Sequence, residues 1–411
     1  MALYAFAAWM ASFFNPKVKK LIKGHRKIMA TVRQGIKPED RVVWFHAASL
    51  GEFEQGRPLM ELVRKNHPEF KILLTFFSPS GYEVRKNYEG ADVICYIPFD
   101  TKRGAGRFLD VVHPEIAIFI KYEFWHFFLT AMHKRGTKLY SVSSIFREGQ
   151  VFFRFKRAAN VLRQFDHLFV QNEKSVELLA SIGINNTTVV GDTRLDRVME
   201  IHNAASDLPL VEQFKDSRRV FIAGSSWEPD ERIYLPYFQN RKDWKLVIAP
   251  HEVNEGRVSR LMASLNGRKV VRYTHMEKMC AEGNAKSAEN ELRQAEVLIV
   301  DCFGKLSSIY RYAEIALVGG GFGVGIHNVP EAAVYGIPVL FGPNNHKFNE
   351  AQELKECEGA FEFTDAETFR QRMDRLIDNP DEMKKAGEKA GQYIKTHVGA
   401  TQKCYDAIFN K

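Results

Sequence analysis

A chain of 411 residues with 45% hydrophobic and 26% charged side chains can bury large cores and exceeds what one core usually supports, so two domains are expected. Its formal charge of +8 and isoelectric point near 9.0 favour acidic partners, a class that includes nucleic acid, anionic lipid and phosphorylated substrates. The five cysteines, Cys95, Cys280, Cys302, Cys357 and Cys404, are scattered and never form C-x-x-C, which argues against a disulfide framework or a zinc site and fits a reducing compartment.

The chain opens on the apolar run MALYAFAAWMASFF, followed by NPKVKKLIKGHRK with Lys17, Lys19, Lys20, Lys23, Arg26 and Lys27. That run falls short of the roughly 20 residues that span a bilayer, and its charges follow it, unlike those of a secretory leader. Two readings stay open. One is an interfacial anchor with Tyr4 and Trp9 at headgroup depth and the basic segment facing anionic lipid; the other is a helix packed on the protein's own core.

From Val42 to about Gly191, apolar runs alternate with helix-length stretches: VVWFHA, KILLTFF, DVICYIPF, IAIFI, LYSVSS, HLFVQ and TTVVG. Each run is continuous, as in strands covered on both faces, and the spacing predicts crossover helices and a parallel, doubly wound sheet. The first strand leads through a small-residue turn into SLGEFEQGRPLMELV, with Ser49, Gly51 and Glu52 at the mouth of a helix. Helix starts offer free N–H groups and positive potential, which suits anions. Glu52 there either offsets the helix dipole, worth roughly 0.3–1 kcal/mol, or is held ready to accept a proton.

Residues 199–219, MEIHNAASDLPLVEQFKDSRR, interrupt the strand rhythm and read as a linker. A second alternation follows: RVFIAGSS, KLVIAP, VVRY, VLIVD, IALVGGG and PVLFGP. The expectation is two Rossmann-like domains facing a cleft, with boundaries at 1–35 for the N-terminal segment, 36–205 for the first domain and 206–411 for the second. The closing stretch DEMKKAGEKAGQYIKTH reads as a charged, partly exposed structural helix.

In ALVGGGFGVGIHNVPEAAVYGIPVLFGP a strand runs into a glycine-rich loop containing Gly320 and Gly321, and a helix is expected near His327 to Pro330. Glycines permit close approach of backbone to ligand, and Asn328 and Glu331 can hydrogen-bond ligand hydroxyls. GFGVG does not complete G-x-G-x-x-G, and no G-x-x-x-x-G-K-[ST] exists, so neither dinucleotide nor Walker chemistry is indicated. Other strand ends bring Ser225 and Ser226, Pro250 and His251, and Phe303 and Gly304 to the edge where open α/β sheets gather ligands. Taken alone, each is more often a cap or turn former.

In this order, HAASLGE, YIPFD, KYEFW, GDTRLD, AGSSWEPDE and GIHNVPEAAVYGIPVLFGP resemble the 3-deoxy-D-manno-octulosonic acid (Kdo) transferases of lipopolysaccharide biosynthesis, over almost the whole chain. The resemblance implies a GT-B fold with an N-terminal membrane-associated helix at the cytoplasmic face of the bacterial inner membrane. It implies inverting transfer of Kdo from CMP-Kdo to a lipid A precursor, with no metal, no cofactor and no nucleic-acid partner. Glu52 carries over as general base. Glu123 and Arg194 match further positions, placed with Ser49 and Gly51 on the acceptor side. Pro250, His251, Phe303, Gly304, Asn328 and Glu331 carry over to the CMP site, where Ser225, Ser226, Gly320, Gly321 and His327 join them. His251 stands where the family often has Arg, Arg194 where many members have Lys, and His126 where Pro is common. Two alternatives remain: another GT-B enzyme or epimerase handling a UDP-sugar, and a non-catalytic nucleotide-binding protein at a membrane surface.

Overall fold

The computed structural model describes residues 16–239 and 241–410, so the expected anchor with Tyr4 and Trp9 lies outside the described residues. Among the described residues, no helix is long and apolar enough to cross a membrane. The fold is α/β, in two compact units. One comprises residues up to Arg197 and those from His397 onward, the other Val198–Thr396.

The first unit holds β1 (Arg41–Ala47), β2 (Phe70–Phe76), β3 (Val93–Tyr96), β4 (Ile116–Ile120), β5 (Lys138–Ser144), β6 (His167–Val170) and β7 (Thr187–Val189). They form one parallel sheet in the order β3-β2-β1-β4-β5-β6-β7. All seven predicted runs are strands, and their continuity has a direct cause. Successive side chains point to opposite faces, and both faces are cores: Val42 and Trp44 pack on one, Val43, Phe45 and Ala47 on the other.

Helix Pro16–Gly35 belongs to this unit instead of forming a separate segment. Leu21, Ile28 and Val32 enter the first core, while Lys19, Lys20, Lys23, Arg26 and Lys27 are exposed. A Cβ on Gly24 would stand 2.2 Å from the Tyr96 ring, so the helix closes on β3 only because that position has no side chain. The last helix, Ala400–Phe409, also corrects the 206–411 boundary: Ala400, Cys404, Tyr405 and Ile408 fill the second core of the first unit. Asp196 ties its start down, accepting the Thr401 N–H and hydroxyl at 2.7 Å each.

The second unit holds β8 (Arg219–Ser226), β9 (Trp244–Pro250), β10 (Val270–Arg272), β11 (Val297–Ile299), β12 (Ile315–Val318), β13 (Val339–Phe341) and β14 (Ala360–Glu362). These too form one parallel sheet, ordered β10-β11-β9-β8-β12-β13-β14. Strand β14 was not expected: three residues at a sheet edge, two of them half-exposed, make no apolar run.

The linker expected at 199–219 is not one. Helix Thr193–Ala204 runs into it, and helix Pro209–Lys215 buries Val211 and Phe214. Pro209 sits in the first helical turn, where its missing N–H costs nothing. Lys215 Nζ donates to Tyr312 O at 2.9 Å and Glu314 Oε1 at 2.7 Å, fastening that helix to the second unit.

Candidate functional site

Strand order reverses between β1 and β4 in the first sheet and between β8 and β12 in the second, and such switch points open a crevice at the carboxyl ends of the strands. In the first unit β1 ends at Ala47, and helix Leu50–Asn66 starts from Ser49 as its cap. Glu52 occupies the third helical position. Its Oε2 accepts the Ser49 N–H at 3.1 Å and the Ser49 hydroxyl, and among the described residues no donor reaches Oε1. The carboxylate is half-buried, so it is both fixed and reachable.

Strand β4 ends beside it and delivers Glu123. The Trp125 indole N–H donates to Glu123 Oε2 at 2.8 Å, and the buried His46 ring places Nε2 3.1 Å from the same oxygen. Behind, His46 Nδ1 lies 2.8 Å from Thr75 Oγ1, which also accepts the Trp44 indole at 2.8 Å. Burial pushes the Glu123 carboxyl up, yet the hydrogen bond and charge of His46, with Trp125, outweigh it and hold the group below the usual carboxylate range. Arg194 reaches the same corner through Asp192, which accepts the Arg194 N–H at 2.9 Å and the Gln55 amide at 2.6 Å. Gln55 is three residues along the helix from Glu52, on the same face. Tyr122, next to Glu123, has its hydroxyl pushed up mainly by burial and feels the charges of Arg147, Asp192 and Arg194.

In the second unit the corresponding carboxylate is Asp230, third residue of helix Glu228–Phe238. One of its oxygens, Oδ2, accepts the Trp227 N–H at 2.9 Å and the Gly320 N–H at 3.0 Å, clasping the glycine-rich loop against the end of β8. Burial raises its carboxyl despite those two donors. The loop's glycines serve this closeness. A Cβ at Gly319 would meet Ser225 O at 2.5 Å, at Gly320 the Gly325 carbonyl at 2.5 Å, and at Gly321 the Cα of Gly342 at 2.5 Å. The N–H groups of Gly319, Gly320, Gly323, Gly325 and His327 are all taken by protein acceptors, so the expected cradle of free donors is largely closed. The helix expected after it is a single turn, Pro330–Ala333.

Above this loop lies an aromatic plate. The Trp227 indole donates to His327 Nε2 at 3.1 Å, and the His251 ring stacks over both, its centroid 4.5 Å from Trp227 and 4.4 Å from His327. Burial, and then the neighbouring His251, lower His327 to about 4, which keeps Nε2 free to accept. Asn328 donates to Glu331 Oε1 at 2.7 Å, while its own Oδ1 is buried with no donor among the described residues. A flat group and a hydrogen-bond donor are what this surface can receive.

Comparison with known proteins now bears on these two corners. The family model described as 3-Deoxy-D-manno-octulosonic-acid transferase (kdotransferase) matches residues 23–197. The 3-deoxy-D-manno-octulosonic acid transferase of Aquifex aeolicus is 26% identical over 374 residues, 88% of this chain and 94% of that one. That of Chlamydia muridarum is 24% identical over 373 residues, 88% and 84%. These matches support a Kdo transferase. Among solved structures, a putative UDP-N-acetylglucosamine 2-epimerase from Listeria monocytogenes matches with a TM-score of 0.60 at 17% identity, over 90% of this chain and 96% of that one. At that identity the likeness concerns the fold.

In this chain, Ser49, Gly51, Glu52, Glu123 and Arg194 all sit at the carboxyl edge of the first sheet, and Ser225, His251, His327 and Asn328 at that of the second. Ser226 departs from expectation. Its hydroxyl is fully buried, donates to Glu231 Oε1 at 3.1 Å and pairs with Tyr234, so it braces the helix and does not face outward. Pro250, Gly320 and Gly321 are likewise buried. Phe303 stands at the opposite extreme, 77% exposed in the turn after β11, with Gly304 at φ +81° behind it. His46, Trp125, Trp227 and Asp230 were missed. Only Asp230 left a local trace, an acidic residue three positions after the helix cap Trp227, as in a capping box. Among the described residues, no cluster of three His, Cys, Asp or Glu side chains could hold a metal ion.

Proposed function

We propose that this protein transfers Kdo from CMP-Kdo to a hydroxyl of a lipid A precursor, with inversion, in a GT-B arrangement whose first unit takes the acceptor and whose second unit takes the donor. The observation that carries this reading is the Glu52 carboxylate, held on one oxygen by Ser49 and open on the other. Glu52 Oε1 removes the acceptor's hydroxyl proton as that oxygen attacks the anomeric carbon of Kdo. The bond from that carbon to the CMP phosphate breaks, and the electron pair leaves on CMP. General-base assistance of this kind contributes typically about 10²–10⁴-fold.

Glu123, kept ionised by His46 and Trp125, and Arg194, set by Asp192, hold the acceptor in register. The plate of Trp227, His251 and His327 stacks on the cytosine, and Asn328 Oδ1 accepts from a ribose or base donor. The acceptor is an anionic lipid, and the exposed cations of helix Pro16–Gly35 suit a membrane surface. Incubation with CMP-Kdo and a lipid A precursor, followed by mass spectrometry, tests the proposal: the lipid gains the mass of whole Kdo units and CMP is released. An unchanged lipid, or turnover of a UDP-sugar instead, overturns it.

A further inference from the structure

The second unit carries a groove that the proposed reaction does not use. It is a cavity of about 610 Å³ between helix Glu228–Phe238 and helix Glu255–Ser264, and none of the residues placed at the donor lines it. Leu246 of β9 forms its floor, with Leu235 and Leu265 beside it. Both ends are spanned by arginine. At one, the buried Arg257 guanidinium donates to Glu231; at the other, Arg268 Nη1 donates to the Phe238 carbonyl at 2.8 Å. A slot of this size suits one small molecule, since ligand cavities run from about 300 to 1,000 Å³.

Four arginines and two glutamates line the slot. Arg257 is satisfied by Glu231, and Arg268 lies 3.5 Å from Glu296. Arg232 pairs with Glu228 at 2.6 Å, but both side chains are exposed, where such a pair is worth little. Arg260 alone of the four has no carboxylate within 4 Å among the described residues. An anionic group lodged between Arg232 and Arg260 gains a charged donor from each helix. A bare ion would leave the leucines to water, whereas an apolar tail covers them.

The two helices that wall the slot also start at the donor corner. Trp227 caps the first, His251 opens the loop into the second, and their rings stack with centroids 4.5 Å apart. We propose that the slot is a regulatory site for a small anionic amphiphile, whose anionic group bridges Arg232 and Arg260 and whose apolar body lies on Leu235, Leu246 and Leu265. Its occupant ties the two helices together and thereby tightens donor binding, because a site already held in its bound form spends less on ordering. The coupling rests on the proposed donor reading; the site itself does not.

The test is calorimetry on the full chain with octyl phosphate, inorganic phosphate and octanol as probes. Octyl phosphate should bind the slot once per chain, at least tenfold more tightly than either other probe. Arg260→Glu should weaken it about tenfold or more, and Ala263→Trp, an exposed position that fills the slot, should abolish it. Melting of both variants should stay unchanged, as should their transfer activity without probe. Saturating octyl phosphate should raise wild-type affinity for CMP-Kdo about fivefold and leave that of Ala263→Trp unmoved. Undiminished binding by both variants overturns the site, and equal binding of inorganic phosphate or octanol overturns the ligand class. Binding without any change in donor affinity overturns the regulatory role. A wild type that binds no CMP-Kdo would instead sink the proposed reaction, while octyl phosphate binding still decides the site.

Discussion

The two sheets end alike at the first strand of each unit and put the result to different uses. After β1 and after β8 the chain turns into a helix whose third residue is acidic and accepts the N–H of the cap, Ser49 in one case and Trp227 in the other. Among the described residues each carboxylate has one oxygen that no donor reaches, but Glu52 is half-buried. Asp230 is 1% exposed, and its Oδ2 takes the Gly320 N–H as well. A carboxylate whose oxygen is committed to backbone donors acts as a structural clasp, because removing it strands buried N–H groups. One with a free lone pair and a path to solvent is available for proton transfer. Position in the helix is shared, and the surroundings decide the role.

The sharpest way to break this contrast is Glu52→Gln, which keeps the cap acceptor and removes the base. Turnover should fall about 10²–10⁴-fold while calorimetric affinity for the CMP-sugar is unchanged; retained turnover would reduce Glu52 to a cap. Asp230→Ala should do the reverse. The unfolding free energy drops by about 2–4 kcal/mol as the buried Gly320 N–H and the half-buried Trp227 N–H lose their acceptor, and the donor KM rises about tenfold with kcat nearly preserved. Denaturant melts and steady-state kinetics read the two effects apart.

Acid offers a third comparison, because each unit contains one histidine lowered to about 4. His25, stacked 4.2 Å from Phe99, is lowered by burial; His327, the acceptor of Trp227, by burial and His251. Both folded values lie below the free value of 6.5, so both contributions are fully present above about pH 6.5 and are lost as pH falls toward 4. Between pH 7 and 5 each should remove up to about 2 kcal/mol. His25→Leu should flatten the acid limb of the first unit's melt, and His327→Asn that of the second.

The smallest effects pair two glycines. Gly51 has nothing nearer than Ser49 Oγ at 3.9 Å, and Gly51→Ala should stabilise by about 0.4–1 kcal/mol. Gly320 has φ +95° and a carbonyl 2.5 Å from any Cβ, and Gly320→Ala should destabilise by about 1–3 kcal/mol. Thermal melts that move in the same direction would contradict the view that the second corner is packed shut and the first open.

Much of this was legible in the residues. Buried parallel strands need apolar side chains on both faces, so thirteen of the strands in β1 to β14 announced themselves as runs, and β14 at an edge did not. Local chemistry likewise marked the helix mouth at Ser49 to Glu52 and the loop at Gly320 and Gly321. The polar stretch at 199–219 misled because Val211 and Phe214 bury only through a one-sided helix too short to show its period.

Sequence alone determined the fold class, the two-sheet organisation and the carboxylate at the first helix mouth, because each follows from short-range patterning of side-chain type. Tertiary structure decided that the last helix belongs to the first unit, that Ser226 turns inward, and that His46 and Trp125 converge on Glu123. Those outcomes depend on which distant groups share a buried volume, where an unpaired polar atom is costly and a hydrogen-bonded one is not. No local pattern of residues encodes that pairing.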